Sequence, residues 1–265
     1  MRVHIQKEDL TELEFPELLA EISPFAFSPK TKERIATIRP FDIEEAEISL
    51  KKTAEYWSSF ESDNAIPFSE FEDIDDELKL MLIENFRLDN AAFLKIKSLT
   101  EQIARLQKFY PAYEFLFQKL HDDIKDLEYR KEIIEKIDKV FNRFGEVKSD
   151  SSPILKQLRA DISHARKAIQ ENFNRALTAL TNTEYLDDIR ESIVDDQRVL
   201  AVKSAYKKRV PGRVLGLSKT GSITYIQPES VVKHQFKLRE DIEEEKKEVD
   251  KILRKLTFEI SEFQP

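Results

Sequence analysis

The sequence lacks cysteine altogether, and its 265 residues include only four glycines and one tryptophan. Without cysteine there is no disulfide and no thiolate metal site, which is typical of proteins of the cytoplasm. No apolar run approaches the ~20 residues that span a bilayer, and the first residues show no apolar core followed by a cleavage site. We therefore expect a cytoplasmic protein with no membrane partner.

Residues suited to catalysis or metal binding are equally scarce. The four histidines, His4, His121, His164 and His234, lie far apart in the sequence and lack the spacing of metal ligands. No nucleophile, acid–base pair or metal-binding set stands out. We expect this chain to hold no metal and no cofactor, and to carry out no catalysis by itself.

Charge is unevenly distributed along this acidic chain, whose net charge is −8. Residues 1–100 hold 12 lysines and arginines against 22 aspartates and glutamates, whereas residues 197–239 hold 10 against one. A concentrated positive segment favours a polyanion, above all nucleic acid, because binding releases condensed counterions. The alternative is a solvated loop whose cations pair with acidic helices nearby.

The spacing of apolar residues predicts three long helices. Apolar residues recur at intervals of three, four and seven over residues 113–144, which is one stripe of a helix. A second helix, over residues 153–180, starts behind a serine cap at Ser151 or Ser152. A third covers residues 232–260. Two long helices therefore flank the basic segment, and antiparallel packing would place that segment at the end of an arm.

The basic segment itself has the pattern of strands. Residues 198–206 and 221–228 are rich in Val, Ile, Thr and Tyr and are bounded by Gly or Pro. Gly216 and Gly221 have the G-x-x-x-x-G spacing of an ATP-binding phosphate loop, but that loop needs Lys and Ser or Thr directly after the second glycine, and then a helix. Here a β-like run follows instead. We predict a small β-rich element whose glycines permit positive φ values in tight turns.

Residues 195–228, DDQRVLAVKSAYKKRVPGRVLGLSKTGSITYIQP, resemble the clamp segment of the MutS family, and in particular of its MutS-two (anti-recombination) branch. That branch has a strand ending in Val-Lys, a basic link, and a glycine turn leading to S-x-(S/T)-G-x-T-x-(F/Y)-I-x-P. Residues 145–162 and 243–257 are similar to the family's sequences before and after the clamp. Leu215-Gly216 replaces the usual His-Asp, so the resemblance is that of a divergent member.

The helical pattern and the resemblance together predict a mainly α-helical fold. It consists of a helical core with long antiparallel lever helices and a small β-rich clamp at their tip. We assign residues 1–110 to the core base, 111–190 to the lever helices, 191–230 to the basic clamp and 231–265 to the returning lever helix.

The resemblance also implies what lies outside this chain. It indicates the N-terminal core, lever and clamp portion of a protein that continues into an ATPase domain, and in many members into an Smr nuclease domain. ATP and Mg²⁺ would bind only in that ATPase domain, which would also form the homodimer. In such a fragment, we expect Leu253, Leu256 and Ile260 of the final helix to be short of partners.

Charge and resemblance together predict a part of a MutS-like ATPase of DNA repair or recombination control. Its clamp would engage duplex or branched DNA through phosphates, without reading mismatches. Tyr206 and Tyr225 are expected to pack within the clamp. The residues expected to contact or steer phosphate are Lys203, Lys207, Lys208, Arg209, Arg213, Lys219, Lys233, Lys237 and Arg239.

Two other functions stay open from the sequence. One is a clamp that binds the ribosome or structured RNA in translation quality control, since a basic surface suits A-form RNA as well as DNA. The other is a coiled-coil module whose basic end binds an acidic protein.

Overall fold

A computed structural model describes residues 7–26, 28–39, 42–62, 64–68 and 71–263. Its helices are α1 (Lys7–Glu12), α2 (Phe15–Ile22), α3 (Pro29–Ala36), α4 (Ile43–Glu61), α5 (Asp75–Met81), α6 (Asn90–Tyr113), α7 (Gln118–Ile124), α8 (Lys131–Val140), α9 (Pro153–Leu180) and α10 (Glu229–Ser261). Its strands are β1 (Leu186–Val194), β2 (Gln197–Lys203), β3 (Gly212–Leu217) and β4 (Ile223–Pro228). Short 3₁₀ helices lie at Ser23–Phe25, Ser149–Ser151 and Ser204–Arg209. The protein is therefore mainly α-helical with a small β region, as the sequence predicts.

The described residues form two compact units. The first unit consists of the described residues of Met1–Val147 and Leu253–Pro265, and the second unit is Lys148–Ile252. Helix α10 contributes residues to both. The predicted segment boundary after residue 110 falls inside α6, and the one after residue 190 falls inside β1.

In the first unit, the single helix predicted over residues 113–144 is divided into α7 and α8. The start of α7 is capped by a side chain that is distant in the sequence. The backbone N–H groups of Lys119 and Leu120 each donate to the carboxylate of Glu55, at 3.0 Å. Because a carboxylate satisfies the free N–H groups of a helix N-terminus, it favours a new helix at this point. Phe117, immediately before α7, is buried at 1% exposure.

The last turns of α10 are buried in the first unit, so the expectation that their apolar residues are short of partners is wrong. Leu253, Leu256 and Ile260 are at most 3% exposed. Between them, the hydroxyl of Thr257 accepts a hydrogen bond from the N–H of Leu88 at 3.1 Å. The residues that cover this helix end come from early in the chain, which the local sequence pattern does not reveal.

In the second unit, α9 begins as predicted. The hydroxyl of Ser152 accepts from the N–H of Leu155 at 2.9 Å and donates to Glu248 of α10 at 2.6 Å. About two turns further along, Nε of Arg159 donates to Glu245 of α10 at 2.7 Å. The residue numbers rise along α9 while those of its partners fall along α10. The two long helices are therefore antiparallel, in agreement with the prediction.

The four strands form one antiparallel sheet in the order β1-β2-β4-β3. In the centre of the sheet, Leu200 of β2 lies opposite Ile226 of β4. Asp195 and Asp196 form the two-residue turn between β1 and β2, and both have a positive φ, as this kind of turn requires. Strands β2 and β4 correspond to the two predicted strands. Strands β1 and β3 are the edges, which the sequence pattern does not reveal.

Helix α9 packs against one face of this sheet through Phe173, which is fully buried. The guanidinium of Arg198 lies 4.2 Å from the centre of the Phe173 ring, forms an ion pair with Glu191 at 2.5 Å and donates to Gln170 at 2.9 Å. Arg198 therefore holds the sheet on α9. The buried residues of this core are Phe173, Leu186, Leu200, Val202, Val210, Ile226 and Val231.

Candidate nucleic-acid interface

The structure places all nine predicted contact residues at exposed positions of the second unit. Six of them surround the sheet, from the end of β2 through the 3₁₀ turn Ser204–Arg209 and β3 to the β3–β4 turn. We call these six the basic surface: Lys203, Lys207, Lys208, Arg209, Arg213 and Lys219. The other three, Lys233, Lys237 and Arg239, lie in the first turns of α10.

Hydrogen bonds of Ser204 bring separate parts of the basic surface together. Its N–H donates to the carbonyl of Ser222 at 2.9 Å, and its hydroxyl donates to the carbonyl of Gly221 at 2.7 Å. Gly221 closes the β3–β4 turn with a φ of +71°, a conformation that glycine adopts without strain. As a result, Lys203 and Lys219 lie at the same end of the sheet although they are distant in the sequence.

The cations of the basic surface are not neutralised by neighbouring acids. Over the part of the chain that the structure describes, none of the six forms an ion pair, in contrast to Arg198 in the same sheet. The alternative that these cations pair with adjacent acidic helices therefore does not hold for them. Their charge is available to a partner.

The opposite edge of the sheet is acidic. Strand β1 and its turn to β2 are rich in carboxylates, and β1 is the edge furthest from β3 in the strand order. The last residue of β1 nevertheless reaches β3, because Cγ1 of Val194 lies 4.0 Å from the position that a Cβ on Gly216 would take. Sequence reasoning missed these carboxylates because it grouped most of β1 with the lever helices. The carboxylates are Asp187, Asp188, Glu191, Asp195 and Asp196.

Hydroxyl groups beside Lys219 add donors that sequence reasoning missed. Thr220 and Ser222 are exposed in the β3–β4 turn, and their hydroxyls lie 2.7 Å apart. Serine and threonine hydroxyls are frequent donors to phosphate oxygens. The signal was present in the sequence, because Ser-Lys-Thr-Gly-Ser at residues 218–222 alternates hydroxyls with a cation and a turn glycine.

The two tyrosines have different surroundings. The ring of Tyr206 packs on that of Tyr185, with 5.0 Å between their centres, and both border the buried core of the sheet. Tyr206 therefore packs within the protein, as the sequence predicts. Tyr225 is half-buried in β4, opposite Ala201 of β2.

Lys237 differs from the other predicted contact residues because it is paired. Its Nζ lies 2.8 Å from Asp241, one helical turn along α10, and the side chain of Asp241 is only 3% exposed. The hydrogen bond to this carboxylate, and then its negative charge, raise the pKa of Lys237. The second carboxylate oxygen, Oδ2, is buried and has no hydrogen-bond partner within the described residues. Lys237 thus compensates a buried charge, which leaves it less available to phosphate than Lys233 or Arg239.

This pairing predicts that Lys237→Met lowers the midpoint of thermal unfolding by several degrees, because the Asp241 carboxylate is then buried without a counter-charge. The double variant Lys237→Met/Asp241→Leu should regain most of the loss. Lys233→Met, at an exposed position that forms no ion pair with the residues the structure describes, is the matched control and should leave the midpoint unchanged. Circular dichroism on heating measures all three. A single variant as stable as the control would contradict the structural role of the pair.

The structure does not support a phosphate loop at the G-x-x-x-x-G spacing. Gly216 lies within β3 and Gly221 lies in a turn that leads into β4, so no helix N-terminus faces this loop. These residues do not fit the phosphates of ATP. Within the described ranges, no group of three or more His, Asp or Glu residues is placed to hold a metal ion. None of the helices described there is both long and apolar enough to cross a membrane.

The fold and surface define a class: a mainly helical protein that presents a small sheet with exposed basic residues on an antiparallel helix pair. No family model matches the chain. Curated relatives do, and those named Endonuclease MutS2 match it along almost its whole length. The protein from Aquifex aeolicus is 26% identical over 262 residues, and that from Ligilactobacillus salivarius is 27% identical over 262 residues. The protein from Clostridium botulinum strain Eklund 17B is 26% identical over 259 residues.

These alignments cover 97–98% of this chain but only 33–34% of each relative. The chain therefore spans about a third of the length of the curated relatives that it matches. The chain is similar to the MutS2 endonucleases along almost its whole length, which confirms the resemblance to the MutS-two branch.

Proposed function

We propose that this chain is a DNA-engaging part of a MutS-like protein of DNA repair or recombination control. The basic surface would hold duplex or branched DNA through its phosphates, without reading mismatches. The chain would serve binding rather than catalysis, and any ATP and Mg²⁺ chemistry would belong to an ATPase domain outside it. The MutS2 relatives support the repair and recombination setting.

One observation carries this proposal. Six exposed cations, none of which forms an ion pair with the described residues, surround a small sheet in a chain whose net charge is −8. Such a concentration of positive charge attracts a polyanion. Lys233 and Arg239 in α10 would add longer-range attraction.

The chemistry of the surface indicates contact with phosphates rather than with bases. Lysines, arginines and the hydroxyls of Thr220 and Ser222 suit phosphate oxygens, which carry no sequence information. The ring of Tyr206 packs against that of Tyr185 and borders the buried core, which favours packing over stacking on a base. We therefore expect binding that depends on the shape of the DNA and little on its sequence.

Binding to a labelled four-way junction, measured by fluorescence anisotropy at two salt concentrations, tests the proposal. Changing Lys207, Lys208, Arg209 and Arg213 to Glu should weaken binding at low salt by about 100-fold or more. It should also reduce the slope of log K against log salt by about one for each phosphate that the variant no longer binds.

A matched control changes four exposed cations of α9 to Glu: Lys156, Arg166, Lys167 and Arg175. Both variants have the same net charge, so an equal loss in both would show that only overall charge matters and would contradict a specific surface. Parent chain that does not bind at low salt would also contradict the proposal. Competition with duplex DNA and with structured RNA distinguishes DNA engagement from the ribosome or RNA alternative.

A further inference from the structure

Tyr225 lies on the face of the sheet that points away from α9. On the other face, Leu200, Val202 and Ile226 belong to the core that also contains Phe173 of α9. Side chains alternate between the two faces along a strand, so Tyr225, next to Ile226, points away from α9. The residue is half-buried, and part of its ring is therefore open to solvent.

Small residues border Tyr225 on both neighbouring strands. Its partners across the sheet are Ala201 of β2 and Gly216 of β3. Cδ2 of Tyr225 and Cγ1 of Val194 lie 3.8 and 4.0 Å from the position that a Cβ on Gly216 would take. Because glycine has no side chain, a small apolar space remains above Gly216, between the ring and Val194. We call Val194, Gly216 and Tyr225 the notch.

Two cations of the basic surface share this face of the sheet with the notch. Lys203 lies opposite Ile223 of β4, and Arg213 lies opposite Gln227 of β4. Ile223 and Gln227 each stand two residues from Tyr225, so both cations are on its face, at levels about 7 Å to either side of it. An aromatic ring between two cations suits a nucleotide, because the ring stacks on the base while the cations attract phosphates.

We propose that the notch holds an unpaired base of the DNA, stacked on the ring of Tyr225. This inference rests on the proposed function and names the feature that the chain would recognise in branched DNA, namely single-stranded nucleotides at the branch. A base inside a duplex is already stacked on both faces, and extruding it costs free energy. The turn Asp195–Asp196 directly follows Val194, so the β1 side of the notch suits an uncharged base better than a phosphate. Every base has a π-face, so the contact would not select a sequence.

Fluorescence anisotropy with two labelled DNAs tests this proposal: a fully paired duplex, and the same duplex with a single-stranded flap. We expect the parent to bind the flap DNA more tightly. Tyr225→Leu should weaken flap binding about tenfold and leave duplex binding unchanged, whereas Tyr225→Phe, which keeps the ring, should bind both DNAs as the parent does. Gly216→Val should have the same effect as Tyr225→Leu, because its side chain would fill the notch while its Cβ makes ordinary van der Waals contacts.

A fluorescent base, 2-aminopurine, placed in the flap gives a second readout. Its fluorescence should fall on binding to the parent and to Tyr225→Phe, and should not fall with Gly216→Val, which keeps the tyrosine and suits a strand. Equal losses of duplex and flap binding in Tyr225→Leu and Gly216→Val would show that the ring only supports the sheet, and would overturn the inference. Variants that bind both DNAs as the parent does would also overturn it, although the proposed function would stand. A parent that binds neither DNA would contradict both and indicate a protein partner.

Discussion

Replacing Phe173 with alanine should destabilise the second unit by about 3–5 kcal/mol, the range for truncation of a fully buried phenylalanine. The ring has 0% exposure and joins α9 to the sheet, where it packs among the apolar residues of β2 and β4. The guanidinium of Arg198 lies over its face at 4.2 Å. The substitution would therefore leave a cavity and also remove the cation–π contact.

Urea unfolding and amide hydrogen exchange in β2 and β4 measure this effect. Phe173→Leu should recover part of the loss, because it keeps an apolar side chain of more similar volume. Ile154→Ala, at a 54% exposed position of the same helix, serves as the control. If exchange in β2 and β4 is no faster in Phe173→Ala than in Ile154→Ala, α9 does not hold the sheet as described.

Gly212→Ala should be the second most damaging change and should unpair β3 from β4. Gly212 lies opposite Pro228 in the sheet, and a Cβ atom there would lie well inside van der Waals contact with the carbonyl oxygen of Gln227 and 2.7 Å from Cγ2 of Ile226. A backbone oxygen in a sheet has little room to move aside. We expect a loss of about 3 kcal/mol or more, at the upper end for overpacking.

Gly221→Ala provides the comparison, because the free-energy cost of this substitution has a different cause. Gly221 has a φ of +71° but nothing within 4 Å of a new Cβ, so the cost is that of the left-handed backbone alone, about 1 kcal/mol. Unfolding in urea should rank the variants as parent, Gly221→Ala and Gly212→Ala. If Gly212→Ala were the more stable of the two, the close pairing of β3 with β4 would be contradicted. Nucleic-acid binding should fall with the loss of β3, since Arg213 lies in that strand.

The structure reduces the number of cations that are available to a phosphate. The segment 197–239 is basic as a whole, but two of its cations form ion pairs within the protein. Arg198 belongs to that segment and is used within the protein, over Phe173 and beside Glu191. Lys237 likewise serves Asp241. A count of charges along the chain includes both, whereas the structure leaves a smaller set available to phosphate.

The sequence alone was sufficient for the features that depend on neighbours in the chain. A serine before Pro153 caps α9, apolar spacing outlines α9 and most of α10, and β-branched residues mark β2 and β4. The basic segment and the motif of residues 195–228 pointed to the MutS-two relatives. Each of these signals is local, because caps, helical periodicity and strand preference act over a few residues.

Tertiary structure decided the features that depend on distant partners. Strand β1 is rich in aspartate and has little strand preference of its own; it is a strand because it pairs with β2. Glu55, distant in the sequence, caps the start of α7, and Leu88 contacts the end of α10. Contacts of Lys52 and Glu55 with α7 determine which side of α4 is buried. Such contacts join residues far apart in the chain, and a hydrogen bond or a buried surface forms only where folding brings both partners together.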